Sequence, residues 1–204
     1  MDSNVREPKQ QRAIEKKEKI IDVGFELICK NGYYNTNTAE IAKLAGVSTG
    51  IVYQYFKDKH DIFIAAINKY GDDIFFPMLN IKNKKLDIKN FKVQIKNMIN
   101  NYINNHKISE IAHEEIMSMV HSDKEVANYY YKKEIDMTNS IKQLLMNNNF
   151  NDNNLNEKVH IMIGLIDNLC HEIIYHKHKN MNYDLMTDIV IQTIQDLFKA
   201  DLIQ

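Results

Sequence analysis

At 204 residues, with 44% hydrophobic and 26% charged residues, the chain has the composition of a soluble globular protein with room for one medium or two small domains. Six glycines, two prolines and no tryptophan exclude a loop-rich or sheet-rich architecture, and apolar spacing that is helical nearly throughout predicts an all-α fold. The formal net charge of −1 excludes a nucleic-acid binder announced by charge alone: residues 1–60 carry ten Lys and Arg against eight Asp and Glu, and the remainder sixteen against nineteen.

Residues 1–12 are polar and charged. Arg6, Lys9, Arg12, Lys16, Lys17 and Lys19 give this end some attraction to phosphate, diluted by Asp2, Glu7, Glu15 and Glu18. A solvated tail is the reading, and a minor-groove or backbone-tracking arm is the alternative. From Ile14 to Lys30 the spacing predicts a first helix, in which Ile21, Phe25 (or Gly24) and Ile28 form a stripe widened by Ile20, Val23 and Leu27.

Asn37 to Phe56 reads as two short helices and a turn. Ala39, Ile41, Ala42 and Leu44/Ala45 fall at helical spacing behind Asn37, which is placed to cap the orphan backbone N–H groups. Gly46 supplies the left-handed conformation that ends a helix, Val47 plugs the turn, and Ser48 caps a second helix over Thr49–Tyr55. This is the layout of a helix-turn-helix, whose second helix enters the major groove. On that helix Ile51 and Val52 are expected to face inward, leaving Ser48, Thr49, Gly50, Tyr53, Gln54 and Tyr55 outside. Gly50 costs about 1 kcal/mol against alanine in a helix interior, a cost with a reason where backbone must approach another surface closely. A capped helical hairpin with no such partner is the plainer alternative.

The flanks carry a resemblance. An amphipathic first helix ends at Gly32-Tyr33 and is followed by Thr36 to Ala42, Ala45-Gly46-Val47-Ser48-x-Gly50, Tyr53-x-Tyr55-Phe56, and Lys59 opening the next helix. In that order these marks make Ile20 to Ile62 similar to the N-terminal domain of the tetracycline-repressor (TetR) family of bacterial regulators; the rest of the chain matches only in length and helical character. The resemblance implies a DNA-binding domain over 14–74, with its helix-turn-helix at 37–56, and a helical regulatory and dimerisation domain over 75–204. It departs at Gly24, where alanine is usual, and at Ala39 and Thr49, where many relatives carry a basic residue.

A fourth helix is expected from near Asp58 through Ile62, Phe63, Ala66, Ile67 and Tyr70 towards Pro77. Its first turn is placed to offer Lys59 and backbone N–H groups to a phosphate. In the family it also joins the two domains, so its tilt sets the spacing of paired reading heads. The K-N-K-K stretch at 82–85 reads as a solvated loop, and further helices are expected near 87–105, 108–121, 123–147, 156–178 and 183–200, with the asparagine-rich 147–154 as a turn.

On the last two helices Val159, Met162, Ile163, Ile166, Cys170 and Ile173, with Met186, Ile189, Val190, Ile194 and Leu197, are expected to form a dimer interface. Ile161, Leu165, Leu169 and Ile174 add a second apolar stripe, and burial of both stripes inside one subunit is the alternative. Met98, Tyr102, Met117, Val120, Tyr130, Met137 and Ile141 are candidate lining for an apolar ligand pocket, with core filling the competing role for each.

Cys29 and Cys170 sit on apolar helical faces and read as reduced core thiols in cytoplasm, with a redox pair as the lesser alternative. The most apolar helix contains Asp167, His171 and Glu172, which argues against a membrane span. No metal-ligand spacing, phosphate loop or nucleophile elbow is present, so neither cofactor, metal nor enzymatic activity is expected.

The expected function is a dimeric, ligand-responsive transcriptional regulator, a repressor by resemblance, that binds a pseudo-palindromic operator and is released by a small hydrophobic inducer. Ser48, Thr49 and Gly50 present the helix N-terminus, and Gln54 is the candidate base reader. Thr38, Tyr53, Tyr55 and Lys59 are candidate phosphate contacts, and Asn37 completes the set. The alternatives are a nucleoid-associated or division-linked DNA binder without a small ligand, and a helical ligand-binding dimer with a degenerate head.

Overall fold

A computed structural model describes residues 10–75, 90–105, 108–151 and 153–199. Among them every regular element is a helix: α1 (Gln11–Asn31), α2 (Thr38–Ala45), α3 (Thr49–Tyr55), α4 (Lys59–Phe75), α5 (Phe91–Asn105), α6 (Glu110–Ser122), α7 (Lys124–Met146), α8 (Leu155–Tyr175) and α9 (Tyr183–Phe198). The fold is all-α, as its spacing predicts. Arg6, Lys9, Pro77 and the 82–85 loop lie outside the described residues.

Side chains of the expected type set several helix starts. Asn37 Oδ1 accepts the Glu40 N–H at 2.9 Å, Ser109 Oγ that of Ala112 at 3.2 Å, and Asn182 Oδ1 that of Leu185 at 3.0 Å. Gly46 ends α2 in the left-handed conformation (φ 70°, ψ 34°), which no β-carbon opposes.

The chain divides into two compact units, one of residues 1–75 with 107–130, the other of 76–106 with 131–204. A single cut after residue 74 does not describe this division, because α6 and the start of α7 group with the head. Their anchors are specific. Ser109 N–H donates to the Cys29 carbonyl at 2.9 Å, Glu115 Oε2 accepts the Tyr34 N–H at 2.9 Å, and His60 Nε2 lies 2.8 Å from Asp123 Oδ2.

In the first unit α1 crosses α2, α3 and α4 over a core of Ile20, Ile21, Leu27, Ile41, Ala42, Val52, Tyr55, Phe56, Ile62 and Ala66. Gly24 sits where α1 packs on α4, and a β-carbon there would fall 2.6 Å from Ile62 Cγ2. Outside this core, Lys69 bridges Glu18 and Asp22, Tyr70 donates to Asp22 at 2.7 Å, and Phe25 stacks on Tyr70 at 4.4 Å between centroids. Burial alone would raise Asp22, but the hydrogen bonds from Lys69 and Tyr70 hold it below its ordinary value.

In the second unit α8 packs on α5 and α9. The expected dimer stripe turns out to be this unit's own core: Val159, Met162, Ile163, Ile166, Cys170 and Ile194 are buried within the one chain, while Ile173, Met186, Val190 and Leu197 are half-buried. Of the expected interface set only Ile189 is exposed, at 55%; it is accompanied by Ile161 at 51% and Leu185 at 57%. Both stripes of α8 satisfy a 3.6-residue period, so periodicity could not say which one turns inward; α5 and α9 take the Val159–Ile166 side. Among the described residues no helix is long and apolar enough to cross a membrane.

Candidate nucleic-acid interface

The helix-turn-helix is held by contacts that leave one face of α3 outside. Val52 is fully buried and Ile51 half-buried, whereas Ser48, Thr49, Gly50, Tyr53 and Gln54 are exposed. Ser48 Oγ accepts the Ile51 N–H at 3.4 Å, and the Thr38 and Tyr53 hydroxyls lie 3.1 Å apart, joining the start of α2 to the middle of α3. Tyr53, 54% exposed, therefore has a fixed hydroxyl on an open ring. Around Gly50 a β-carbon would meet only Ser48 Oγ at 3.8 Å, so nothing inside the protein requires glycine there.

Two expected contacts point elsewhere. Tyr55 is only 8% exposed and belongs to the head core, because it stands one turn after Val52 on the same face; its assignment to the outer face is corrected. Lys59 Nζ donates to the Tyr33 carbonyl at 2.5 Å and lies 4.2 Å from the centre of the Tyr33 ring. Burial lowers its pKa against the opposing charge of Glu115. Its ammonium thus ties α4 to the turn after α1 and is not offered to a phosphate. The start of α4 also carries its own anions: Asp58 Oδ1 accepts the Asp61 N–H at 3.1 Å, and Asp61 Oδ2 accepts the Lys57 N–H at 2.8 Å. These carboxylates already answer the positive end of the helix. Asp58, His60 and Asp61 bring donor atoms within 4.8 Å of one another, but each of the three groups already has a partner inside the protein.

Sequence reasoning passed over two exposed cations near the motif, Lys43 in the last turn of α2 and Lys57 just after α3. Lys43 follows Ala39 by one turn, and that spacing was the available signal. It also missed the clamp behind the motif. Gly32 (φ 86°) packs so closely on Glu115 that a β-carbon would fall 2.6 Å from its carboxylate, while Asp123 caps α7 through Glu125 and Val126 and bonds His60 with its other oxygen. The backbone N–H of Val126, against some burial, and then His60 keep the Asp123 carboxyl below its ordinary value. These partners are distant in sequence, and no local pattern announces them.

The candidate pocket residues fall in both units. Met117, Val120 and Tyr130 belong to the first, and Met98, Tyr102, Met137 and Ile141 to the second. Val120, Tyr102, Met137 and Ile141 are buried, and the other three are half-buried. Both cysteines are buried, and desolvation pushes each thiol up to about 12, so they stay protonated near neutral pH.

Residues 20–66 match the family model described as bacterial regulatory proteins, tetR family. A fatty acid metabolism regulator protein of Bacillus subtilis is 44% identical over 66 residues, 32% of this chain and 34% of that protein. The transcriptional regulator QacR of Staphylococcus aureus is 46% identical over 52 residues, 26% of this chain and 28% of that protein. The chain thus spans about a third or less of the length of these curated relatives, and the match lies in the head. Among solved structures, a tetR-family transcriptional regulator from Streptomyces coelicolor has a TM-score of 0.66 at 15% identity, over 92% of this chain and 82% of that one. The fatty acid degradation regulator FadR from Bacillus halodurans has a TM-score of 0.56 at 21% identity, over 92% and 96%. At these identities the structural likeness is one of fold.

Proposed function

We propose that the protein, whose residues 20–66 match the tetR-family model, is a dimeric transcriptional regulator, acting in the cytoplasm, that leaves its operator when a small apolar effector binds. The observation that carries the reading is the outer face of α3. Thr49, Gly50, Tyr53 and Gln54 stand exposed on a helix capped by Ser48 and braced from behind by α1. Thr49 and Gly50 bring the helix N-terminus to the duplex, Gln54 reads a base edge, and Tyr53 and Thr38 reach the backbone. With Tyr55 and Lys59 turned inward, Lys43 and Lys57 are the phosphate contacts of this head.

Pairing is supported by the apolar residues left outside on α8 and α9: Ile161, Leu185 and Ile189. An isologous contact through them gives the two-fold symmetry that a pseudo-palindrome requires. An apolar effector is supported by the names of two similar proteins, a fatty acid metabolism regulator and a fatty acid degradation regulator. Such a ligand acts by binding one arrangement of the heads more tightly than the other, and only that difference in affinity shifts the population.

Footprinting on the chain's own upstream region, with mobility shift on the protected duplex, tests this reading. Protection of a pseudo-palindrome by a dimer is the expected result. Failure to retard any duplex at low salt favours the second reading, a ligand-binding helical dimer with a silent head. The inward turn of Tyr55 and Lys59 and the absence of a cation at Ala39 and Thr49 speak for that alternative.

A further inference from the structure

The turn before α2 and the start of α4 are each fastened by a carboxylate from outside the helix-turn-helix, and both carboxylates belong to one stretch of chain. Glu115, in the middle of α6, accepts the Tyr34 N–H at 2.9 Å through Oε2, and the same oxygen lies 2.6 Å from where a β-carbon on Gly32 would fall. Asp123, which follows α6, ends 2.8 Å from His60 Nε2 in the first turn of α4. Its other oxygen accepts the N–H groups of Glu125 and Val126. Just before α6, the Ser109 N–H donates to the Cys29 carbonyl at 2.9 Å, one of those that the end of α1 leaves without a helical partner. Glu115 and Asp123 stand about 12 Å apart along the axis of α6.

The fastened segments carry the ends of the reading helices. From Tyr34 the chain runs through Thr36, whose buried hydroxyl donates to the Gly32 carbonyl at 2.8 Å, to the cap Asn37 and to Thr38, which meets the Tyr53 hydroxyl on α3. From His60 it runs back to Lys57, whose N–H donates to Asp61. We propose that Glu115 and Asp123 are positioning residues for the helix-turn-helix: one helix, α6, sets the spacing between the turn before α2 and the start of α4. That spacing fixes how Thr38, Tyr53 and Lys57 are presented to a duplex, and duplex affinity follows it. The inference rests on the reading of this head as DNA-binding and deepens it, adding two residues that act on the duplex only through others. A surface pair between two long side chains contributes little, because both must be immobilised. Glu115 differs: it holds a backbone N–H, and the glycine it packs on already confines it.

Hydrogen exchange of the full-length protein without DNA, read by mass spectrometry, and mobility shift on the footprinted duplex test this together. Glu115→Ala is expected to speed exchange about tenfold over residues 32–38 and to weaken duplex binding about tenfold, the worth of one hydrogen bond to a charged group. Exchange in α8 and α9 stays as in the parent, which a general loss of stability would not allow. Glu115→Gln keeps an oxygen for the Tyr34 N–H and is expected to bring both readouts to within about threefold of the parent. His60→Ala is expected to speed exchange at the start of α4 and weaken duplex binding several-fold, and it carries the test should Glu115→Ala fail to fold. The proposal is overturned if Glu115→Ala exchanges as the parent does, if exchange rises equally in α8 and α9, or if Glu115→Gln behaves as Glu115→Ala. Unchanged duplex affinity in both Glu115→Ala and His60→Ala overturns it too. A parent that binds no duplex sinks the regulator reading, and the clamp then stands or falls on exchange alone.

Discussion

Replacing Asp167 by asparagine removes a charge that the fold holds unfavourably, and the size of the effect follows from its titration. The carboxyl has an ordinary value of 3.8 and is pushed up to about 6 in the folded chain. The folded state therefore binds a proton that the unfolded state has already lost, so this group's contribution to stability falls as pH rises from about 4 to about 6 and then stays lost. At about 1.36 kcal/mol per pKa unit the ionised carboxylate costs about 3 kcal/mol at pH 8. That value is a ceiling, because the side chain is 22% exposed and water screens part of the charge. Equilibrium urea unfolding of parent and Asp167→Asn, followed by circular dichroism from pH 4 to pH 8, measures the difference. Titrating groups remote from Asp167 are common to both proteins and largely cancel. The variant is expected to gain on the parent by up to about 3 kcal/mol as pH rises from 4 to 7, then to run parallel. An unmatched asparagine N–H shifts the whole curve without changing that slope, so the slope is the test. A stability gap that stays flat from pH 4 to pH 8 refutes the reasoning.

Four further outcomes follow from the geometry. Gly50→Ala should stabilise the protein by about 0.4–1 kcal/mol, since its β-carbon meets only Ser48 Oγ, yet weaken duplex binding by blocking close approach; denaturant melts and mobility shift read the two effects, and unchanged duplex affinity contradicts the role given to this glycine. Gln54→Ala should relax preference at one base pair, whereas Tyr53→Phe should lower affinity similarly on all sequences, so identical profiles from a binding-site selection would reject that division of roles. Ile189→Glu should turn dimer to monomer in sedimentation with helicity unchanged, because the residue is 55% exposed in the single chain. Gly24→Ala should destabilise the head by about 1–3 kcal/mol in thermal melts, because its β-carbon would lie 2.6 Å from the Ile62 methyl.

The local chemistry of the head was legible in the chain. Caps, a left-handed glycine and an alternation of buried and exposed positions are written within a few residues of where they act, so Asn37, Gly46, Ser48 and Val52 could be given their roles from spacing alone. Tyr55 and Lys59 could not. Each lies on the margin between a buried face and an open one, and the choice depends on what arrives from elsewhere: for Lys59 the Tyr33 carbonyl, for Tyr55 the core on which α1 closes.

Helical periodicity fixes how many apolar faces a helix has but not which neighbour takes each one. That is why spacing predicts two apolar faces on α8 but cannot tell that the Val159–Ile166 stripe is buried within its own chain, and why nothing local places α6 beside α1. The grouping of α6 with α1, the clamp of Glu115 and Asp123 on the turns around the motif, and the meeting of Tyr102 with Asp167 and His171 all join residues dozens of positions apart. The sequence by itself determined an all-helical chain with a capped helix-turn-helix near its start, because those signals are short-range. Only the tertiary structure decided which faces pair and where Asp167 meets Tyr102 and His171, because those depend on the packing of distant segments against one another.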